Sequence, residues 1–167
     1  EEEKLAFAEE KVWSPSVSEM QKETNTDNIY INYSSPKTNG RSYIYNLRTR
    51  EKKFVKEQEV LDKNYSPKNY ITERLECPSH DGRLVPLTIT RHKDTKIDGT
   101  ANVLLYGYGS YGNSLGFGFS STRLSLLNRN IIWVDASVRG GRERGEIWHE
   151  EGKMLNKKNA FKDYISA

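Results

Sequence analysis

ANVLLYGYGSYGNSLGFGFSSTRLSLLNRNIIWVD, residues 101–135, decides how the chain is read. Its first six residues are a short apolar run, the pattern of a strand buried on both faces. Residues 107–118 form a loop of Gly, Tyr and Ser. Leu124, Leu126 and Leu127 give residues 120–128 a helical pattern, and residues 131–135 form a second buried apolar strand. Strand, helix and strand in succession predict an α/β layer.

The same alternation extends outward. Downstream, residues 139–145 read as a Gly and Arg loop, and residues 155–167 as a helix with Phe161, Tyr164 and Ile165 at helical spacing. Upstream, residues 70–77 and 84–91 read as two strands around Ser79-His80-Asp81-Gly82, whose Asp-Gly pair signals a hairpin turn. Residues 92–99 are a polar loop. From Tyr70 the order is therefore β-β-β-α-β-loop-α. Residues 62–68 form a polar linker. Ahead of it the texture changes to residues 12–20, 28–33 and 42–47 as short strands, with another starting at Phe54-Val55. The turns are the SSPKTNG cluster at 34–40 and the charged stretch 48–53. Sheet meanders and propeller blades share this texture. Two or three strands do not make a stable sheet alone. Residues 1–11 carry mixed charge and a weak helical pattern.

Composition narrows the function classes. Lys and Arg number 26 against 23 Asp and Glu, a net charge of +3, too small and dispersed to argue for nucleic acid. No apolar run approaches the roughly 18 residues of a membrane span, and the opening Glu-Glu-Glu-Lys is no secretory signal. Hydrophobic residues make up a lean 35%, but ten Tyr, five Phe and three Trp argue against disorder. The single cysteine, Cys77, permits no internal disulfide and no cysteine cluster for zinc, which fits a reducing, cytoplasmic setting. No cofactor and no metal are expected. The length suits one domain, or a small one with part of another. A first residue of Glu rather than Met points to a piece of a longer product.

Four features bear on chemistry. Gly112-Asn113-Ser114-Leu115-Gly116 matches the G-x-S-x-G elbow, which works only on a tight turn directly between strand and helix. Here the strand ends near Tyr106, six residues earlier, so Ser114 reads better as part of a flexible loop. A serine mechanism also needs a base. Of His80, His92 and His149, only His149 follows Ser114, with Asp135 as the one intervening acid at a strand end. No H-x-x-x-H or C-x-x-C spacing exists for a metal. The loop Tyr106-Gly107-Tyr108-Gly109-Ser110-Tyr111-Gly112 puts hydroxyls and ring faces beside a close-approaching backbone. It reads equally as an oxyanion-stabilising loop and as one packed on the core. Arg139–Gly145 lacks the Lys-Ser/Thr ending of a phosphate loop, and its mixed charges favour a salt-bridged loop.

Three runs together carry a resemblance: VLLYGYGSYG, RLSLLNRNIIWVDASVRGG and ERGEIWHEEGKMLNKKNAFKDYISA. They resemble the prolyl oligopeptidase family, in particular its oligopeptidase B branch. The likeness is dense over residues 101–167, looser over 70–93, and weak but compatible over 1–62. It implies a partial α/β-hydrolase sheet preceded by a few antiparallel strands from the end of a β-propeller. Residues 1–62 would be the last blade strands and linker, and 63–167 the N-terminal part of the catalytic domain. The implied activity is serine-type cleavage of short peptides after Arg or Lys. Tyr108 matches the family's oxyanion-hole tyrosine, and Tyr111 an aromatic wall of the first specificity pocket. Where the family usually has a third glycine in its Arg-Gly-Gly run, this chain has Arg142. The nucleophile's G-G-S-x-G-G run, the acid and the base would lie beyond residue 167, and Ser114 falls elsewhere in the family pattern. The expected partners are short peptides and a complementary C-terminal chain, with no nucleic acid and no membrane. The rival readings are a non-catalytic interaction module, a decayed gene product, or one half of a split peptidase.

Overall fold

The computed structural model describes residues 10–18 and 25–167. Most of the weak helical pattern at 1–11, and the last two residues of the strand expected at 12–20, lie outside the described residues. Two compact units emerge. One runs to Pro67 and includes Phe117–Ser121; the other comprises Lys68–Gly116 and Thr122–Ala167.

The first unit is a four-stranded antiparallel meander: β1 (Ser14–Val17), β2 (Asn28–Ser34), β3 (Arg41–Asn46) and β4 (Lys52–Glu57), paired in sequence order. Alternation along β2 sends Ile31 and Tyr33 to one buried face, where Tyr45 of β3 joins them. Trp13 stacks on Tyr33 with ring centroids 5.8 Å apart. Side chains fix the turns. Asn46 Oδ1 accepts the backbone N–H groups of Arg48 and Thr49 at 2.9 and 2.8 Å. Strand β4 is exposed along its whole length and carries Lys52, Lys53 and Lys56, charges of the kind that keep a sheet edge from pairing elsewhere.

The second unit has a mixed sheet of β5 (Tyr70–Pro78), β6 (Leu84–His92), β7 (Val103–Tyr106) and β8 (Ile132–Ala136), in the order β5-β6-β8-β7. The first two pairings are antiparallel; β7 and β8 run parallel, joined through α1 (Ser121–Leu127). Pro86, which lacks an N–H, sits on central strand β6 just outside the β8 ladder that starts at Leu87. The core is Val85, Leu87, Val134, Ala136, Val138, Trp148 and Ala160, to which α2 (Glu146–Glu150) and α3 (Lys158–Ser166) contribute Trp148 and Ala160.

Two local expectations are revised. Residues 101–106 read as a fully buried strand, yet Val103 is 58% exposed and Tyr106 43%. Strand β7 lies at the sheet edge and pairs only with β8 among the described residues, so its apolar residues lack a second neighbour. Residues 146–150, which fall between the Gly and Arg loop and the helix expected at 155–167, form α2, a single turn held by the burial of Trp148.

A candidate site at the ends of β7 and β8

Parallel pairing brings the C-terminal ends of β7 and β8 together, with Tyr106 opposite Asp135. The loops that leave these ends, 107–116 and 137–145, are locked to each other through glycine. Gly140 has φ +102, and a Cβ there would strike the Gly109 carbonyl oxygen. Gly109 has φ +59 and would drive a Cβ to 2.8 Å from the Arg139 oxygen. Gly152 presses from the other side, its own Cβ position falling on the Gly140 nitrogen. The Gly112 N–H donates to the Gly140 oxygen at 2.9 Å, and the Gly140 N–H to the Trp148 oxygen at 3.0 Å. From α3's N-cap, Lys157 Nζ donates to the Gly109 oxygen and, at 2.8 Å, to Ser110 Oγ.

Beneath this contact lies a buried ion cluster. Arg139 is 1% exposed, and Asp163 on α3 is fully buried. Asp163 accepts from Arg139 backbone N, Nε and Nη2 at 3.0, 2.9 and 2.7 Å, and from Ser79 Oγ at 2.5 Å. Asp81, from the β5–β6 turn, accepts from Arg139 Nη1 at 2.6 Å. Burial would raise the Asp163 carboxyl, but the hydrogen bonds from Arg139 and Ser79 outweigh it and hold the pKa below the usual value. The Arg139 hydrogen bond draws Asp81 down to about 2. The Trp148 indole packs against the cluster, with the Arg139 guanidinium 5.7 Å from its ring centroid, and donates to the Ser137 oxygen at 3.0 Å.

A cleft of about 390 Å³ opens beside the loop, lined by Tyr106, Tyr108, the 113–116 segment, Arg123, Trp133 and Asp135. On its floor Trp133 Nε1 donates to Asp135 Oδ1 at 2.8 Å, and the Arg123 guanidinium lies 4.8 Å from the Trp133 ring centroid. Burial pushes the Asp135 carboxyl up and the Arg123 guanidinium down. Tyr108 is 45% exposed on the cleft wall, and no described residue hydrogen-bonds its hydroxyl. Tyr111 projects outward, 84% exposed at φ +54, and does not line the cleft. Ser114 is exposed in the loop. Glu143 pins the next residue, accepting the Leu115 N–H at 2.9 Å, and burial raises its pKa.

None of the histidines is hydrogen-bonded to Ser114. His80 Nδ1 lies 3.1 Å from Ser79 Oγ, whose own proton goes to Asp163. His92 pairs with Asp94, and His149 Nδ1 donates to the Gly140 oxygen at 2.8 Å. Among the described residues no cluster of His, Cys, Asp or Glu could hold a metal ion, and no helix is long and apolar enough to cross a membrane. Arg142 does not adopt positive φ, and its exposed side chain donates to Glu146 at 2.7 Å. The salt-bridged character expected of 139–145 is present, but Arg139 finds its partners in Asp81 and Asp163, far along the chain. Those two residues, Lys157 and Glu143 are the site's supports that residue patterns did not single out.

Comparison with known proteins identifies the family. The model of the prolyl oligopeptidase family matches residues 117–167. Dipeptidyl aminopeptidase BI of Pseudoxanthomonas mexicana is 40% identical over 159 residues, covering 95% of this chain and 22% of that protein. Protease 2 of Moraxella lacunata is 38% identical over 143 residues, 86% of this chain and 21% of the relative. Among solved structures, oligopeptidase B from Trypanosoma brucei with covalently bound antipain matches at TM-score 0.89 and 32% identity, over 96% of this chain and 23% of that one. Oligopeptidase B from Leishmania major matches at 0.87 and 33%, over 96% and 22%. The chain thus spans about a fifth of the length of these relatives. With agreement in sequence over nearly its whole length, and in the two-sheet architecture, the chain belongs to the prolyl oligopeptidase family.

Proposed function

We propose that this chain supplies the oxyanion-stabilising part of a serine-type oligopeptidase. Tyr108 donates its hydroxyl to the developing negative oxygen, and Tyr111 forms an aromatic wall for the substrate side chain. The reading rests above all on the Tyr108 hydroxyl: it stands at a cleft, on a loop pinned from several directions, with no partner among the described residues. A phenol so placed is a ready donor, and its loop need not reorganise as charge develops. Tyr111 offers its ring to solvent, where a guanidinium could stack. That feature supports a preference for substrates with Arg or Lys. The nucleophile, acid and base come from polypeptide other than these 167 residues, because each histidine here is engaged away from Ser114. In this reading residues 63–167 are the first part of an α/β-hydrolase domain, which the order β5-β6-β8-β7 and the α1 crossover support. Residues 1–62 are the end of a propeller, which the four-stranded meander supports. The exposed apolar residues Val103, Leu155, Phe161 and Ile165 favour pairing with a complementary chain.

The test is an assay with an Arg-ended chromogenic peptide. The 167-residue chain alone gives no turnover; co-expression with the C-terminal portion of a family member restores it. Tyr108→Phe in the restored enzyme then lowers kcat by about 100–1,000-fold, the usual loss for one oxyanion donor. Turnover by the chain alone that vanishes in Ser114→Ala would refute the proposal.

A further inference from the structure

We infer that Lys157 is a positioning residue that sets the backbone of the Tyr108 loop. Its place in the fold is unexpected on local grounds. Lys157 is the N-cap of α3, with φ −56 and ψ −29, and makes no capping hydrogen bond to the helix. N-caps favour Ser, Thr, Asp and Asn, and a cation at a helix N-terminus opposes the positive end of the macrodipole. Nothing in the stability of α3 therefore calls for a lysine here. Residues that break a local rule commonly serve a site.

The ammonium group's contacts supply the reason. Nζ donates to the Gly109 carbonyl oxygen and to Ser110 Oγ, the two residues that directly follow Tyr108. Nζ also lies over the Phe161 ring, 5.8 Å from the centroid. Gly109 is buried and holds a positive φ, so the peptide it begins needs a fixed orientation. On the opposite side the Gly112 N–H is held by the Gly140 oxygen. Lys157 and Gly140 thus grip the loop at two points, on either side of the turn at Ser110 and Tyr111. A charge-assisted bond to the 109 carbonyl holds the peptide plane next to Tyr108, and with it the direction from which the phenol enters the cleft. The inference rests on Tyr108 being the oxyanion donor for its catalytic meaning. The clamp itself can be measured without that reading.

The experiment is residue-resolved amide hydrogen exchange and aromatic NMR on the full 167-residue chain, comparing wild type, Lys157→Met and Lys157→Arg. Methionine keeps the apolar stem and loses the donors; arginine keeps the charge. In Lys157→Met, exchange at the Gly112 and Asn113 amides, which donate to the Gly140 and Ser110 oxygens, should rise about 10-fold or more, the loss expected for a charged hydrogen bond. The Tyr108 ring resonances should shift, while Leu87 and Val134 amides in the sheet keep wild-type rates. Lys157→Arg should restore both loop readouts. Unchanged loop exchange in Lys157→Met, a rise spread uniformly over the sheet, or failure of arginine to rescue would overturn the inference. Tyr108→Phe in the restored enzyme separates the two claims. Full activity there would refute the donor role and leave the clamp standing; a loop indifferent to Lys157→Met would refute the clamp whatever Tyr108 does.

Discussion

Asp163→Ala should be the most damaging single side-chain truncation in the second unit. The carboxylate is fully buried and accepts four hydrogen bonds, three of them from Arg139 and one from Ser79. Without it, Arg139 remains 1% exposed and retains Asp81, which is 35% exposed and screened by water. The Arg139 backbone N–H and Nε would lose their acceptor in the interior. Removing one partner of a buried ion pair costs about 3–5 kcal/mol, because the other charge stays desolvated. Domains of this kind hold only about 5–15 kcal/mol in total, so about a fifth or more of the stability is at stake. With a urea dependence of about 2 kcal/mol per molar, the unfolding midpoint falls by about 2 M. Urea titration followed by tryptophan fluorescence reads this, since Trp148 is buried against the Arg139 guanidinium. The control is the double variant Arg139→Met/Asp163→Leu, which removes both charges and should recover much of the loss. A midpoint drop under about 0.5 M, or a double variant no better than the single one, would show that the ion cluster does not hold α3 in place.

Three further outcomes are expected. Asp81 has its pKa depressed to about 2, so its contribution is present above the unfolded carboxylate value and is lost as pH falls from about 4 to 2. Asp135 and Glu143 have raised values, so their ionisation works against folding once pH rises through them. Glu143→Gln keeps an acceptor for Leu115 and should unfold at higher urea than wild type at pH 7; a lower midpoint would contradict the assigned effect of burial. Tyr111→Gly should stabilise the chain by about 1 kcal/mol in the same titration, because Tyr111 sits at φ +54 with its ring in solvent. The same change should weaken binding of Arg-ended peptides to the restored enzyme, and a raised stability without weaker binding would discharge Tyr111 from the pocket.

Strands whose burial is decided locally were legible from residues alone. Alternation marks a strand at 28–33, found as Asn28–Ser34; an apolar run marks 131–135, found as Ile132–Ala136; and the spacing of Phe161, Tyr164 and Ile165 marks a helix within 155–167, found as α3. The exposure of Val103 was not, because the position of β7 at the edge depends on β8 inserting beside β6. Helix α2 escaped because five residues cannot display a period; the signal present was Gly145 at φ +87 followed by acidic Glu146 in the first turn. Within the candidate site, the Gly-Tyr alternation marks the loop that carries Tyr108 but leaves open whether it lines a cleft or packs on the core; its exposure at the cleft depends on the fold. The loop's supports were not legible. Arg139 lies 58 residues from Asp81 and 24 from Asp163, and charge pairs at such separations leave no periodic trace. Lys157 stands among Lys153, Lys158 and Lys162, and nothing in their spacing distinguishes the one whose ammonium reaches the Gly109 oxygen.

At Gly109, Gly140 and Gly152 the backbone packs so closely that a Cβ on any one of them would strike main-chain atoms of another segment. An overpacked core can usually be repaired by shrinking a neighbour, but most of what a Cβ would strike here is the backbone of Gly109, Arg139 and Gly140, which has nothing to shrink; the Val138 side chain beside Gly109 is the exception. A chance replacement at any of the three has no second-site remedy within the trio, so a lineage carrying this fold can vary the surface of the loop yet cannot drift at its hinge.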